Sequence, residues 1–183
     1  MKRMLFCLLA AVLFAGCASQ PFMTEVSPGI YEGCMPKTRA HYESLRQHGI
    51  RTILNLQIQP WDISAGRKRA QKNGIAYRSV PIPASPRQPK EARVNEALRI
   101  LDEPDLHPIF INCRLGRDRA TLIIGLYRVY YEGWSAEAAW AEMLRKGFKT
   151  HWTLMGLKHY FWHHSQRPDW LKAGEAGAGE KSR

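Results

Sequence analysis

The residues best suited to chemistry stand in one short run, Cys113-Arg114-Leu115-Gly116-Arg117-Asp118-Arg119. An apolar, β-branched stretch, Pro108 to Asn112, leads into it, and a strongly apolar helical stretch, Asp118 to Tyr131, leads out. Where a strand passes straight into a helix, the first backbone N–H groups of the helix lack intrahelical partners and can cradle a tetrahedral anion. Gly116 lets the backbone curl tightly enough to form that cradle. Arg119 adds a planar guanidinium fork that holds two oxygens of the anion at once, which a lysine does not reproduce. The same positive surroundings favour the thiolate of Cys113, and a thiolate facing a bound phosphoryl group is a nucleophile in position. The plain alternative is a structural cysteine buried at a strand end. Arginine six positions on, with glycine between, argues against it.

The elements that must position this run alternate in type. Strands are expected at Gly29 to Gly33, Thr52 to Leu56, Ile75 to Val80 and Pro108 to Asn112. Between them, Lys37 to His48, Ile63 to Lys72 and Glu91 to Leu101 have helical spacing; in the last, Ala92, Val94, Ala97, Leu98 and Leu101 share one face. This order predicts an α/β fold, a mostly parallel central sheet flanked by helices in a three-layer sandwich. In such a sheet ligands bind beyond the carboxyl ends of the strands, where the Cys113 run lies. The helix from Asp118 to Tyr131 is apolar almost all round and is expected to be the central, buried one. Ser135 is an N-cap candidate for the next helix, which runs to Gly147, and a last helix covers about Leu154 to His164. Trp134, Trp140, Trp152 and Trp162 are assigned to core and helix packing.

The amino terminus has its own pattern: Met1, Lys2, Arg3, an apolar run Met4 to Ala15, then Gly16-Cys17-Ala18-Ser19. The run is too short for a permanent span and has the order of a secretory signal. Phe14-Ala15-Gly16-Cys17 resembles a bacterial lipoprotein box. That resemblance implies lipidation of Cys17 and an anchor in the bacterial cell envelope facing the periplasm; ordinary signal cleavage nearby is the alternative. The expected organisation is a signal over 1–16, a lipidated linker over 17–25, one domain over 26–170 and a tail over 171–183. The formal net charge of +11 is spread along the chain without a nucleic-acid-binding motif, so no nucleic acid is expected as a partner. Anionic lipid and phosphorylated substrates suit a diffuse positive field. His151, His159, His163 and His164 lack a carboxylate or cysteine at metal-ligand spacing, and no metal is expected. With Cys7 in the signal and Cys17 lipidated, Cys34 and Cys113 remain as thiols, too few for a disulfide scaffold.

The run from Cys113 to Arg119 resembles the Cys-x5-Arg signature of protein tyrosine and dual-specificity phosphatases, and Asn112 to Trp134 is similar to their small bacterial members. Gly29-Ile30-Tyr31, Pro36 and Gly49-Ile50-Arg51-Thr52-Ile53-Leu54-Asn55-Leu56 resemble the opening strands of that family, so the likeness covers about Val26 to Phe161. It implies a phosphatase-like sandwich in which Cys113 forms a cysteinyl-phosphate. Arg114, Leu115, Gly116, Arg117, Asp118 and Arg119 would hold the phosphoryl group of a phosphorylated protein or small anionic phosphate ester, with no metal or cofactor.

Three departures stand out. Asn112 replaces the family's histidine, and Ala120, followed by Thr121, replaces its hydroxyl residue after the arginine. The stretch Val80 to Glu91 lacks the aspartate that usually protonates the leaving group, which leaves Asp118, Glu91 and Asp62 as candidate acids. Asp118 fits a helix N-terminal charge complementing the dipole better than an acid, and Asp62 fits a cap for the helix that follows it. Four prolines, Pro81, Pro83, Pro86 and Pro89, make that stretch a stiff wall, with Arg87, Lys90, Arg114 and Arg117 expected around the pocket. A phosphate-binding pseudophosphatase and a rhodanese-like sulfurtransferase are the rival readings. Aligned with the family's opening strand, Cys34 is expected at a strand end on the same face as Cys113, where the two thiols could couple by oxidation.

Overall fold

The computed structural model describes residues 22–166. The expected signal, Cys17 and the tail lie outside the described residues. Five strands, β1 (Met23–Ser27), β2 (Ile30–Cys34), β3 (Thr52–Asn55), β4 (Ala76–Ser79) and β5 (Ile109–Cys113), form one sheet in the order β1-β2-β5-β3-β4. All neighbours are parallel except the edge pair of β1 with β2. Six helices connect and cover them: α1 (Arg39–Gln47), α2 (Pro60–Lys72), α3 (Glu91–Asp102), α4 (Arg119–Tyr131), α5 (Ala136–Arg145) and α6 (Met155–His164).

The pleat sends successive side chains to opposite faces, and two apolar clusters result. Ile53 and Phe110 join Tyr42 and Leu45 of α1 and Ala70 of α2 on one face. Leu54, Ile109 and Ile111 join α3 to α6 on the other. The sandwich therefore has three layers, with α4 central. Ten of its thirteen residues are buried, and Leu122, Ile123 and Leu126 have no exposed surface, each contributing roughly 1.5–3 kcal/mol by leaving water. Ser135 caps α5 by accepting from the Ala138 N–H at 3.1 Å, as its position suggests.

Several readings are corrected. β1 begins at Met23, inside the stretch assigned to a linker over 17–25. Its sequence, MTEVS, has too few apolar residues to signal a strand; pairing with β2 makes it one. Helix α2 starts at Pro60, three residues earlier than expected, because proline suits the first helical position. Asp62 is accordingly a first-turn residue and not the cap, which is Gln59. Trp152 does not pack in the core but is 64% exposed, whereas Trp140 packs against Phe148, Phe161 and Trp162 and Trp134 lies under Arg128.

Arg128, almost fully buried, ties the edge of the sheet to the helical layer. It donates to the Val26 carbonyl at 2.7 Å, to Glu132 at 2.7 Å and to both carboxylate oxygens of Glu142. Burial pulls its pKa down, and the two carboxylates more than offset this, leaving it above its ordinary value. Arg128→Ala leaves Glu132 without its cation and Glu142 with only Lys146 at 3.8 Å, and should lower stability by about 3 kcal/mol in urea unfolding. A loss below about 1 kcal/mol would place the cluster with ordinary surface ion pairs.

Candidate active site

The strand-to-helix crossing forms as the sequence suggests. β5 ends at Cys113, the loop follows, and α4 starts at Arg119 with Asp118 as its N-cap. Gly116 has φ +68°, a conformation that favours glycine. A Cβ there would lie 2.4 Å from the Gly33 carbonyl carbon and 2.8 Å from the Cys34 N. The loop is thus pressed against the end of β2, and glycine is required for both conformation and space. Cys113 is 2% exposed.

Arg119 is 8% exposed, and its guanidinium is held by neutral oxygens: the Leu56 carbonyl at 3.3 Å, the Ile82 carbonyl at 3.5 Å and Gln57 Oε1 at 3.5 Å. Leu56 and Ile82 are themselves fixed by extended pairing, Leu56 N–H to Asn112 O at 2.9 Å and Ile82 N–H to Leu56 O at 3.3 Å. A buried cation surrounded by carbonyl dipoles, with no carboxylate partner among the described residues, suits a site that receives an anion. Gln57 is a site residue that sequence reasoning missed; a polar residue just past an apolar strand end was its only signal.

The other site candidates separate. Asp118 Oδ1 accepts from the Lys149 N–H at 3.1 Å, and its side chain makes no cap bond to its own helix. Glu91 stands at the start of α3 beside Tyr130 and Tyr160. Burial pushes Tyr130 up to about 12, and Glu91 adds to the effect. Glu91 opens α3 and stands outside the Cys113 loop. Lys90 is the exposed N-cap residue of α3. Arg114 is exposed at the loop, while the Arg117 stem lies along Gly147 with its Nε buried and unpartnered. The proline-rich stretch is a packed wall: Val80 and Ile82 are fully buried, and a Cβ on Gly156 at the start of α6 would lie 2.0 Å from the Arg87 carbonyl oxygen.

Asn112 Nδ2 donates to Asn55 Oδ1 at 3.1 Å, and Asn55 Nδ2 to Ser79 Oγ at 3.4 Å, so the residue before Cys113 ties three strand ends together. The Thr121 hydroxyl lies 3.5 Å from the Gly116 carbonyl oxygen of the loop, but its closer partner is a carboxylate. It donates to Glu32, a buried carboxylate on β2 that also takes Lys146 Nζ at 2.6 Å. Glu32 and Lys146 were likewise missed; a single acid inside an apolar strand was the available signal. Glu32, Cys34, Leu115, Gly116, Arg117 and Lys146 line part of a cleft of about 600 Å³ along the outer side of the loop.

These features define a class: a cysteine at a parallel strand end, an anion-cradling loop at a helix N-terminus and an arginine closing it. A model of the tyrosine phosphatase family matches residues 20–152, and the chain belongs to that family. It is 27% identical over 125 residues to the dual specificity protein phosphatase TpbA of Pseudomonas aeruginosa, a match covering 68% of this chain and 54% of the relative. The chain spans about half the length of the curated relatives it matches. Crystal structures of P. aeruginosa TpbA (TM-score 0.68, 22% identity, 84% of this chain and 90% of that one) have the same fold. So does the core catalytic domain of the PP-IP phosphatase SIW14 of S. cerevisiae (TM-score 0.69, 19% identity, 85% and 92%).

Cys34 and Cys113 are register partners on adjacent parallel strands. Such strands lie about 4.8 Å apart, and a disulfide needs Cα atoms within roughly 4.4–6.8 Å. Burial pushes the Cys34 thiol up, its own backbone N–H opposes this, and the nearby Cys113 adds to the rise. Cys34 also opens onto the cleft. A peroxide should therefore convert the Cys113 thiolate to a sulfenic acid, which the Cys34 thiol attacks with loss of water to form the disulfide. Peptide mass spectrometry should find the cross-link, reversed by dithiol; peroxide-treated protein without it would show that the two sulfurs do not meet.

Proposed function

We propose that the chain hydrolyses phosphomonoesters, those of a phosphorylated protein or a small anionic ester, through a cysteinyl-phosphate on Cys113. The observation that carries this reading is the buried Arg119 guanidinium, held by neutral oxygens just past β3 and β4, at the helix end of a loop that starts at Cys113 and is pinned at Gly116. The relative TpbA has been crystallised with phosphotyrosine, which supports a phosphorylated substrate. In the first step Cys113 Sγ bonds to phosphorus, the ester P–O bond breaks and the leaving oxygen takes a proton. Water then attacks phosphorus, the S–P bond breaks, and phosphate and the thiolate are released. Backbone N–H groups from Arg114 to Arg119 and the Arg119 fork hold the equatorial oxygens through both steps. A pseudophosphatase or a sulfurtransferase lacks a comparable supporting observation.

Cys113→Ser should abolish hydrolysis of an aryl phosphate yet keep vanadate binding, because the cradle is backbone and Arg119. Arg119→Lys should lose both, through loss of the fork. Persistent turnover in the serine variant would remove Cys113 as nucleophile, and parent-like kinetics in the lysine variant would remove Arg119 from its role.

Asp118 is the acid we assign to the leaving group, since it stands in the loop beside Arg119 and its Oδ2 has no hydrogen-bond partner among the described residues. Asp118→Asn should slow alkyl phosphates on the order of 100-fold while barely affecting a nitrophenyl ester, whose leaving oxygen needs no proton. Equal losses on both substrates would return Asp118 to a purely structural role at Lys149.

The amino-terminal pattern supports a lipid anchor at Cys17 and a periplasm-facing site in the bacterial envelope. Cys17→Ser should shift the protein from the membrane to the soluble envelope fraction if the thioether-linked lipid is its anchor. Unchanged fractionation would count against lipidation there.

A further inference from the structure

We propose that the face of the domain carrying the Cys113 loop docks directly on an anionic bilayer surface, an interaction that rests on the lipid anchor at Cys17. The direction of β1 is the first observation. β1 runs antiparallel to β2, and its first residue, Met23, is the register partner of Gly33, next to Cys34 at the carboxyl end of β2. The chain therefore enters the domain on the face where the loop opens. Phe22 is fixed there by stacking on His41 at 4.1 Å, and it lines the same cleft as Leu115, Gly116 and Arg117. Cys17 precedes Phe22 by five residues, which span at most about 17 Å even when fully extended. A lipid on Cys17 thus keeps the point of entry on this face within about 17 Å of the membrane.

The surface of that face is the second observation. Of the seven exposed large apolar residues among the described residues, Ile58, Trp61, Leu115, Trp152 and Met155 belong to loops or first helical turns at the carboxyl ends of the strands. Trp61 is 69% exposed and Trp152 is 64% exposed. Trp61, in the first turn of α2, follows Gln57, which touches Arg119, by four residues; Trp152 follows Lys149, whose N–H binds Asp118. They stand on two sides of the loop.

Interleaved with them, Lys37, Arg87, Arg114, Arg145 and Lys149 form no ion pair among the described residues. Asp102, Glu103 and Asp105 lie at the far end, after the last turn of α3. Tryptophan at the headgroup level and unpaired cations against acidic lipid are the two side-chain preferences of a bilayer interface. Scattered single apolar residues need no partner, but a ring of them around the mouth of a site, on the tethered face, does. A tether alone leaves orientation free; this rim sets it, with the loop turned towards the membrane.

The full chain, reconstituted in mixed phosphatidylcholine and phosphatidylglycerol vesicles containing brominated phosphatidylcholine, tests this. The parent should float with the vesicles, and bromine should quench its tryptophan emission. Trp61→Phe with Trp152→Phe, two of six tryptophans, should float equally well and lose most of that quenching. High salt or pure phosphatidylcholine should weaken quenching without releasing the anchor. A parent that floats with no quenching, or quenching unchanged in the double variant, overturns the docking and leaves the anchor standing. A chain that stays out of the vesicle fraction overturns both. A blue shift caused by a soluble phosphotyrosyl peptide, with none from vesicles, assigns the rim to a peptide and also overturns the docking.

Discussion

A guanidinium buried at the base of a strand-to-helix crossing is the constraint on which the rest of this structure turns. Removing the Arg119 charge from water is costly unless something answers it, and here the answer comes from the ends of other elements. Leu56 and Gln57 lie just past β3, and Ile82 follows β4. Those oxygens are in place only because β3, β4 and β5 end at the same level, a condition that parallel pairing and the Asn112–Asn55–Ser79 chain enforce. Neutral oxygens orient the cation without neutralising it, so its charge stays available to a phosphoryl group. The sheet, through its register, is therefore part of the proposed binding site.

A second set of interactions works from behind the loop. Thr121, one turn into α4, is held by Glu32 of β2, which also holds Lys146 just past α5. Lys146 approaches Glu142, and Glu142 pairs with Arg128, which grips β1 through the Val26 carbonyl. A chain of ionic contacts thus runs from the edge strand to the back of the Cys113 loop. It locks the helix on which Arg119 sits, and it also commits the Thr121 hydroxyl. Ala120 stands next to Arg119 without a hydroxyl, and Thr121 gives its own to Glu32 and the Gly116 carbonyl, so neither is free to assist the second half-reaction of the proposed mechanism.

Much of this was legible in the residues. The β-branched runs and the helical spacing of apolar side chains located four of the strands and all six helices, because burial on two faces of a parallel sheet leaves a strong periodic trace. The Cys113 to Arg119 spacing located the loop, because few other arrangements need those types there. What escaped detection depends on distant partners. β1 becomes a strand only by pairing with β2, and Gln57, Glu32 and Lys146 acquire roles only through Arg119 and Thr121. Trp152 seemed a core residue by type, yet a loop position at the carboxyl end of the sheet leaves it exposed. Glu91 and Asp118 were equal by chemistry, and they differ in place: Glu91 opens α3, whereas Asp118 caps α4 within the loop.

The central claim is that the phosphoryl group passes through Cys113. Rapid acid quench of the protein after mixing with an aryl phosphate, followed by peptide mass spectrometry, measures this directly. The account predicts a phosphoryl adduct on the peptide bearing Cys113, formed within the first turnover and persisting because Ala120 supplies no hydroxyl for its breakdown. Steady release of phosphate with no adduct on Cys113 at any quench time, or with the adduct on another residue, would contradict it.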